Sequence, residues 1–305
     1  MSTVPQTVHS PRQTMPYDSR HVSHGNVIPP WIPKSFKEAW KSPKEIVIVG
    51  DGAWRPLILN PVPGVILKCS REANQVEELL AMKFARDRLS LPVPKVLHHP
   101  PLPRRPGHRY STQMKTPVWY ICMEQCPGVP LSDTIDDMTP MQHDHIAAQL
   151  KSILHQMASY KPKWLGSVHG SPYNNFFFAD YVRPKNTLAS VGDFHDHIRW
   201  TLELFCAPVF IESFMSRFPR NAAIRFVHGD LLPKNIIVNG STITGIIDWE
   251  TAGFYPEYWE YARMHCYFHT TPGWDSVLRR LFPSPRREDE IRAVNEYKTI
   301  MTHQF

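Results

Sequence analysis

The sequence has no long hydrophobic segment. No stretch reaches the roughly 18 consecutive apolar residues that indicate a transmembrane helix. The first residues, MSTVPQTVHSPRQ, also lack the apolar core of a secretory signal peptide. We therefore expect a cytoplasmic protein that does not associate with membranes.

Cysteine is scarce. The chain has five cysteines, and no two of them form a Cys-x-x-Cys pair. An odd number without such pairs argues against a disulfide framework and against the common dithiol motifs. We expect free, buried thiols in a reduced compartment.

Signatures of nucleic-acid binding are missing, although the formal net charge is +6. Much of the basic charge lies in scattered pairs such as Arg104-Arg105 and Arg286-Arg287, and no basic face interleaved with aromatic residues stands out. The charge predicts a generally basic surface, which would also favour an anionic nucleotide. Nucleic acid is not an expected partner.

A glycine-rich phosphate-binding loop is also missing. No Gly-x-Gly-x-x-Gly stretch occurs between Glu45 and Lys68, where Gly50 and Gly52 are the only candidates for a phosphate-covering turn. Bulky residues beginning with Trp54 follow them, which hinders a close approach of the backbone to phosphate. Any nucleotide site formed here would be atypical.

The length of 305 residues and a hydrophobic fraction of 42% suffice for one large domain or for two lobes around a cleft. Residues 1–30 are polar and rich in proline, serine and histidine, which predicts a disordered arm. Strands are predicted at 45–49, 57–59 and 65–68, followed by an amphipathic helix over 71–89. Helical patterns return in the second half of the chain, at 131–160, 193–218, 256–268 and 288–302.

The most informative stretch covers residues 225–250, RFVHGDLLPKNIIVNGSTITGIIDWE. Two β-branched runs flank Asn239-Gly240, which predicts a β-hairpin. Asp230 precedes the first strand and Asn235 begins it, whereas Asp248 follows the second strand. The hairpin should therefore bring Asp248 back beside Asn235.

These three side chains fit the chemistry of phosphoryl transfer. The Asp248 carboxylate and the Asn235 amide offer hard oxygen ligands, which suit Mg²⁺ that bridges nucleotide phosphates. Asp230 is then left to accept the proton of an attacking hydroxyl. The spacing His228-x-Asp230-(x)₄-Asn235 matches that of a kinase catalytic loop.

The His228-Gly229-Asp230 loop and the text IIDWETAGFYPEYWE at 246–260 resemble the aminoglycoside phosphotransferase/choline kinase superfamily. The sequence looks closest to fungal aminoglycoside-phosphotransferase-like proteins. The resemblance implies an α+β, two-lobed protein-kinase-like fold. The N-lobe would be residues 31–126, with an antiparallel sheet and one helix, and the mainly helical C-lobe would be residues 127–305.

The same resemblance implies roles in the N-lobe. Lys68 ends the predicted third strand and would grip the nucleotide phosphates. Three glutamates compete to orient it, Glu72, Glu77 and Glu78, and the family pattern Glu-x-x-Ala-x-x-Phe selects Glu78.

Further roles follow from the resemblance at the lobe junction and beyond. The strand at 118–123 leads into the hinge, where backbone groups of Glu124 and Cys126 would hydrogen-bond adenine. Glu260 would brace the catalytic loop.

The implied activity is ATP-dependent, Mg²⁺-assisted phosphorylation of a hydroxyl on a small metabolite. The acceptor, the choice between ATP and GTP, and the oligomeric state stay open. Pro256-Glu257 follows Asp248 too closely for a long phosphorylatable segment, which disfavours a protein kinase. A pseudokinase-type module that binds nucleotide with little catalysis is the alternative; the missing glycine loop favours it, and the intact acidic residues oppose it.

Overall fold

We describe a computed structural model of the chain, which covers residues 57–70, 74–99, 119–175, 177–178 and 181–303. The predicted arm at 1–30, the strand at 45–49, the Gly50 and Gly52 turn and Glu72 lie outside the described residues.

An antiparallel sheet forms the first part of the described fold. Its strands are β1 (Leu57–Val62), β2 (Val65–Ser70), β3 (Val96–His98) and β4 (Trp119–Glu124), in the spatial order β1-β2-β4-β3. Helix α1 (Asn74–Lys83) follows β2 and continues as a π-helical turn over Phe84–Arg88. The predicted helix at 71–89 therefore changes its geometry after Lys83.

The second part is mainly helical. In the described ranges it contains α2 (Pro140–Ser159), α3 (Val191–Glu203), α4 (Pro208–Met215), α5 (Tyr258–Met264), α6 (Pro272–Leu281) and α7 (Glu288–His303). Of the helix predicted over 131–160, the first part forms two 3-10 turns, Leu131–Asp133 and Ile135–Asp137. Helix α2 begins at Pro140, because Thr139 and Gln142 form a capping box and Pro140 occupies the first turn. Sheet and helices together confirm the α+β class.

Short strands carry the catalytic stretch. Strands β7 (Ile236–Asn239) and β8 (Thr242–Ile246) form the predicted hairpin, and β5 (Val129–Pro130) pairs with the outer side of β7. Strand β6 (Ile224–Val227) precedes the catalytic loop and pairs antiparallel with β9 (Gly253–Pro256). These pairings hold both ends of the catalytic stretch in place.

Two hydrophobic clusters support this arrangement. One joins α1 and β4 to α2, α6 and the hairpin, and includes Leu79, Ile121, Leu150 and Ile246. The other is largely aromatic and packs α3, α4, α5 and α7 around residues that include Phe194, Tyr255 and Trp259. The first cluster spans the sheet and the helical part, so burial of its apolar surface fixes the cleft between them.

The cysteines agree with the expectation of free thiols. All five are free, three of them buried and two half-buried. Within the described ranges, no helix combines the length and the apolarity needed to cross a membrane.

Candidate active site

Lys68 is a buried residue on β2, one of the two inner strands of the antiparallel sheet. Alternation along β2 places Lys68 on the same face as Ile66, a partly buried residue that packs against the core shared with α1. Its Nζ lies 2.8 Å from Glu78 Oε1 and 2.7 Å from Asp248 Oδ1. Burial lowers the pKa of Lys68, but Glu78 and Asp248 outweigh this effect and raise it, so the ammonium stays charged.

Glu78 and Glu77 point to different partners although they are adjacent. Gln75 and Glu78 share one face of α1, and the Gln75 amide donates to the Lys68 carbonyl at 3.4 Å. Glu77 lies about 100° further round the helix and accepts a hydrogen bond from Ser167. The structure thus pairs Lys68 with Glu78, the glutamate chosen from the family pattern.

Asp248 occupies a strained position two residues after the end of β8. Its φ of 67° and ψ of 58° fall in the left-handed region, which side chains other than glycine rarely adopt. Such strain persists only where the surroundings fix the backbone, and it is concentrated at functional sites.

Carboxylates outnumber cations around Asp248. Oxygen atoms of Glu78, Asp248 and Glu250 lie within 4.8 Å of one another. In the described residues, Lys68 is the cation that pairs with these carboxylates, and its Nζ lies 4.0 Å from Glu250 Oε2. Burial, followed by the charge of Asp248, raises the pKa of Glu250 to about 7. This donor set of hard oxygen atoms with excess negative charge fits Mg²⁺. Sequence reasoning missed Glu250, although its position two residues after Asp248 in Asp-Trp-Glu could have indicated it.

Asn235 lies between Asp230 and Asp248. Its Nδ2 donates to the Asp230 carbonyl at 2.8 Å and to Asp230 Oδ2 at 3.0 Å. Because the amide is planar, Oδ1 faces away from Asp230, and no group in the described ranges donates to it. The Asn235 carbonyl accepts from the Ile247 N–H at 3.0 Å, so the hairpin brings Asn235 beside Asp248 as the sequence predicts.

Two cations flank the Asp230 carboxylate. Lys234 Nζ lies 2.7 Å from Oδ2, and Arg263 Nη2 lies 3.1 Å from Oδ1. Burial opposes ionisation of Asp230, but Lys234 and Arg263 outweigh it and lower the pKa to about 2. Sequence reasoning assigned neither cation a role. The i,i+4 spacing of Lys234 in the loop was a usable signal, whereas Arg263 gave none because it comes from the distant helix α5.

Glu260 and His228 hold the catalytic loop in place. Glu260 accepts hydrogen bonds from the backbone N–H groups of His228 at 2.5 Å and Gly229 at 3.3 Å. The Asp230 N–H donates to His228 Nδ1 at 3.2 Å, which leaves Nε2–H to donate to the Ile247 carbonyl at 3.0 Å. Through His228, the loop that carries Asp230 is therefore tied to the residue before Asp248.

Gly229 is needed at this point of the loop. Its φ is +82°, and a Cβ there would lie 3.0 Å from both the Phe177 ring and Thr251 Oγ1. A larger residue would meet both backbone strain and a crowded space.

The predicted hinge follows β4. The Glu124 N–H donates to the Lys95 carbonyl at 2.9 Å, so this donor is already used. The Cys126 side chain packs directly on β8, where a Cβ added to Gly245 would lie 2.1 Å from Cys126 Sγ. Of the two backbone N–H groups, that of Cys126 is the better candidate to contact a base.

The antiparallel sheet, the helical part and the acidic cleft between them define a kinase-like phosphotransferase. The family model described as "Phosphotransferase enzyme family" matches residues 47–293. The chain belongs to this family.

Solved structures agree on the fold. A thermostable mutant of the aminoglycoside phosphotransferase APH(4)-Ia, in complex with ADP and hygromycin B, matches with a TM-score of 0.59 and 14% identity over 89% of this chain and 92% of that one. The GDP and kanamycin complex of APH(2")-IIIa matches with a TM-score of 0.56 and 15% identity over 85% of each chain. No curated protein sequence gives a significant match. These findings confirm the protein-kinase-like fold, whereas the kinship to fungal members stays a prediction.

Proposed function

We propose that the protein transfers the terminal phosphate of ATP to a hydroxyl of a small molecule. The observation that carries the proposal is that two charged sets share one cleft, with Lys68, Glu78 and Asp248 on one side and Asp230 with Asn235 on the other. The first set suits nucleotide phosphates, and the second suits an attacking hydroxyl. Structural relatives in complex with ADP or GDP and an aminoglycoside support this reading.

In this proposal, Lys68 binds the nucleotide phosphates, and Glu78 orients the Lys68 side chain. Asp248 and Asn235 Oδ1 would hold Mg²⁺, with Glu250 as an added ligand, and the ion would neutralise phosphate charge when bound. The Cys126 N–H and a Glu124 backbone group would contact the base. The boundary between the lobes, after residue 126, is part of the same proposal.

Asp230 acts as the proton acceptor in this proposal. Its low pKa keeps it ionised at neutral pH, so it can always accept a hydrogen bond from the acceptor hydroxyl. A carboxylate with such a low pKa is a weak base, which suits a loose transition state in which the hydroxyl proton leaves late. Asn235 and Arg263 fix the carboxylate orientation.

Two isosteric changes separate the base from the metal ligand. Asp230→Asn should lower kcat by ~10²- to 10⁴-fold, because it removes the proton acceptor. Mg-ATP affinity should stay nearly unchanged, because the set of Lys68, Glu78 and Asp248 is left intact. Asp248→Asn should weaken Mg-ATP binding as well as turnover, because it removes a charged ligand. Calorimetry with Mg-ATP gives affinity, and phosphate incorporation into an identified acceptor gives turnover.

Asp144→Asn is the matched control. Asp144 is an exposed aspartate on α2 that pairs with Arg280 at 2.5 Å, so its change should leave both readouts intact. The role assignment is wrong if Asp230→Asn abolishes Mg-ATP binding while Asp248→Asn binds normally. Unchanged turnover in both variants would contradict the mechanism itself.

A further inference from the structure

Glu77 is a buried carboxylate that the proposed phosphoryl transfer does not use. It lies on α1 beside Glu78, with 15% of its side chain exposed. Its Oε2 accepts a hydrogen bond from Ser167 Oγ, and Ser171 Oγ donates to its Oε1 at 3.5 Å. Because Ser167 gives its hydroxyl proton to Glu77, His169 Nδ1–H donates in turn to Ser167 Oγ at 2.7 Å. Glu77 thus ends a short chain of hydrogen bonds that begins at His169.

Residues 167–171, the anchor loop, are fixed to the part of the fold that carries the catalytic loop. The anchor loop closes on itself, since the Ser167 N–H donates to the Ser171 carbonyl at 2.9 Å. Directly before it, Gly166 and Phe254 exchange two backbone hydrogen bonds, at 3.1 and 2.8 Å. Phe254 lies on β9, which pairs with β6, the strand that leads into the catalytic loop. The anchor loop and the catalytic loop are therefore held by one framework.

An aromatic contact holds the other end of α1 to the same framework. The π-helical turn after α1 brings the centroid of the Phe84 ring to 4.9 Å from that of Phe226 and 5.7 Å from that of Phe254. Tyr160 adds an edge contact to Phe84 at 5.0 Å. Because Phe226 lies on β6 and Phe254 on β9, α1 is attached to this framework at two points, one polar and one aromatic.

Glu78 points from α1 toward the nucleotide side of the cleft. Its Oε1 accepts from Lys68 Nζ at 2.8 Å, and the same ammonium lies 2.7 Å from Asp248 Oδ1. Helix α1 therefore connects the anchor loop, through Glu77, to Lys68 on the sheet, through Glu78. The position of α1 sets where this ammonium lies. Phosphoryl transfer depends mainly on positioning, and a misplacement of about 1 Å can cost roughly 10²-fold in rate.

Burial makes Glu77 an expensive way to attach a helix. The pKa of Glu77 is raised by burial, which its hydrogen bonds and the nearby charges of His169 and Arg183 only partly offset. An apolar residue at such a site is often at least as stabilising as a buried charge. Hydrogen bonds add a fixed direction instead, because they weaken steeply when donor and acceptor are misaligned. This directionality suits a residue that sets the rotation of α1 about its axis.

We propose that Glu77 is a positioning residue for the phosphoryl transfer: it fixes α1 to the anchor loop and thereby sets where Glu78 holds Lys68 for the nucleotide phosphates. Glu77 touches neither nucleotide nor metal in this scheme and acts through Glu78. The inference rests on the proposed function and adds to it a residue outside the nucleotide site.

Calorimetry with Mg-ATP on wild type and on variants of this contact tests the inference. Glu77→Ala should raise the Kd of Mg-ATP on the order of tenfold, the effect of losing one hydrogen bond to a charged group. Glu77→Gln should stay within about threefold of wild type, because its amide oxygen still accepts from Ser167. Ser167→Ala removes the donor instead and should resemble Glu77→Ala, so it replaces that variant if Glu77→Ala does not fold.

A double-mutant cycle separates positioning from a purely structural role. In a Glu78→Gln background, where the ion pair with Lys68 is lost, Glu77→Ala or Ser167→Ala should change the Kd by less than about twofold. A residue that only stabilises the fold would instead add its full cost in either background.

Asp136→Ala is the matched control. The Asp136 carboxylate accepts from the Gly273 N–H at 2.7 Å and so attaches the turn Ile135–Asp137 to α6. Its loss should lower the melting temperature and leave the Kd of Mg-ATP unchanged. The inference is overturned by a wild-type Kd in Glu77→Ala and Ser167→Ala, by an equal cost in both backgrounds, by a failure of Glu77→Gln to retain affinity, or by the same loss in Asp136→Ala. A wild type that does not bind Mg-ATP would instead overturn the proposed function.

Discussion

Replacing Arg263 with glutamine should destabilise the chain mainly through Asp230. The Arg263 guanidinium has no solvent exposure and donates to Gly229, Asn295 and Asp230 at 3.0–3.1 Å. Breaking a buried ion pair by removing one partner costs about 3–5 kcal/mol, because the other charge is left uncompensated. Lys234 still contacts Asp230, so we expect the lower end, about 3 kcal/mol.

A double-mutant cycle isolates the charge pair. In an Asp230→Asn background, the Arg263→Gln change no longer strands a buried carboxylate, and the remaining cost is that of neutral hydrogen bonds at about 1 kcal/mol each. We therefore expect the Arg263→Gln cost to fall by about 1–2 kcal/mol in that background. Urea unfolding of the four proteins measures this coupling free energy.

The exposed pair of Arg199 and Glu212 is the control. It has a similar separation, with Arg199 Nη1 2.5 Å from Glu212 Oε1, but it lies at the surface. Solvent screening should make its coupling much smaller than that of the buried pair. Additivity of Arg263→Gln and Asp230→Asn within about 0.5 kcal/mol would refute the reasoning, because independent sites add to that precision.

Two further predictions concern the hinge and the catalytic loop. Gly245→Ala places a Cβ 2.1 Å from Cys126 Sγ, so it should lower the free energy of unfolding by ~1–3 kcal/mol and weaken Mg-ATP binding. Cys126→Ala should partly rescue both properties. Normal Mg-ATP binding and stability of Gly245→Ala would contradict the packing of Cys126 on β8. Burial raises the pKa of Glu260 from 4.5 to about 7. The stability that protonated Glu260 contributes is therefore fully present below pH 4.5 and is lost as the pH rises through 7. This loss lowers the free energy of unfolding by up to ~3 kcal/mol. Glu260→Gln should abolish this part of the pH dependence of the melting temperature, and an unchanged slope would show that another group titrates.

The sequence predicted the parts of the site that depend on short-range spacing. The hairpin of β7 and β8 follows from a turn between β-branched runs, and it places Asn235 next to Asp248 whatever surrounds it. The choice of Glu78 over Glu77 depended on the family pattern. The structure shows the physical reason, since adjacent residues on α1 face different neighbours.

The sequence by itself determined the catalytic loop, the order of its polar residues and the class of chemistry that these residues allow. These features are encoded within some 25 neighbouring residues, so short-range spacing is enough to identify them. Only the tertiary structure decided which charges surround Asp230. Arg263 lies 33 residues from Asp230, on helix α5, and no short-range spacing relates the two residues. The position of Arg263 follows from the packing of α5 against α7, where burial of apolar surface sets which polar side chains face the catalytic loop, and no local pattern specifies that outcome.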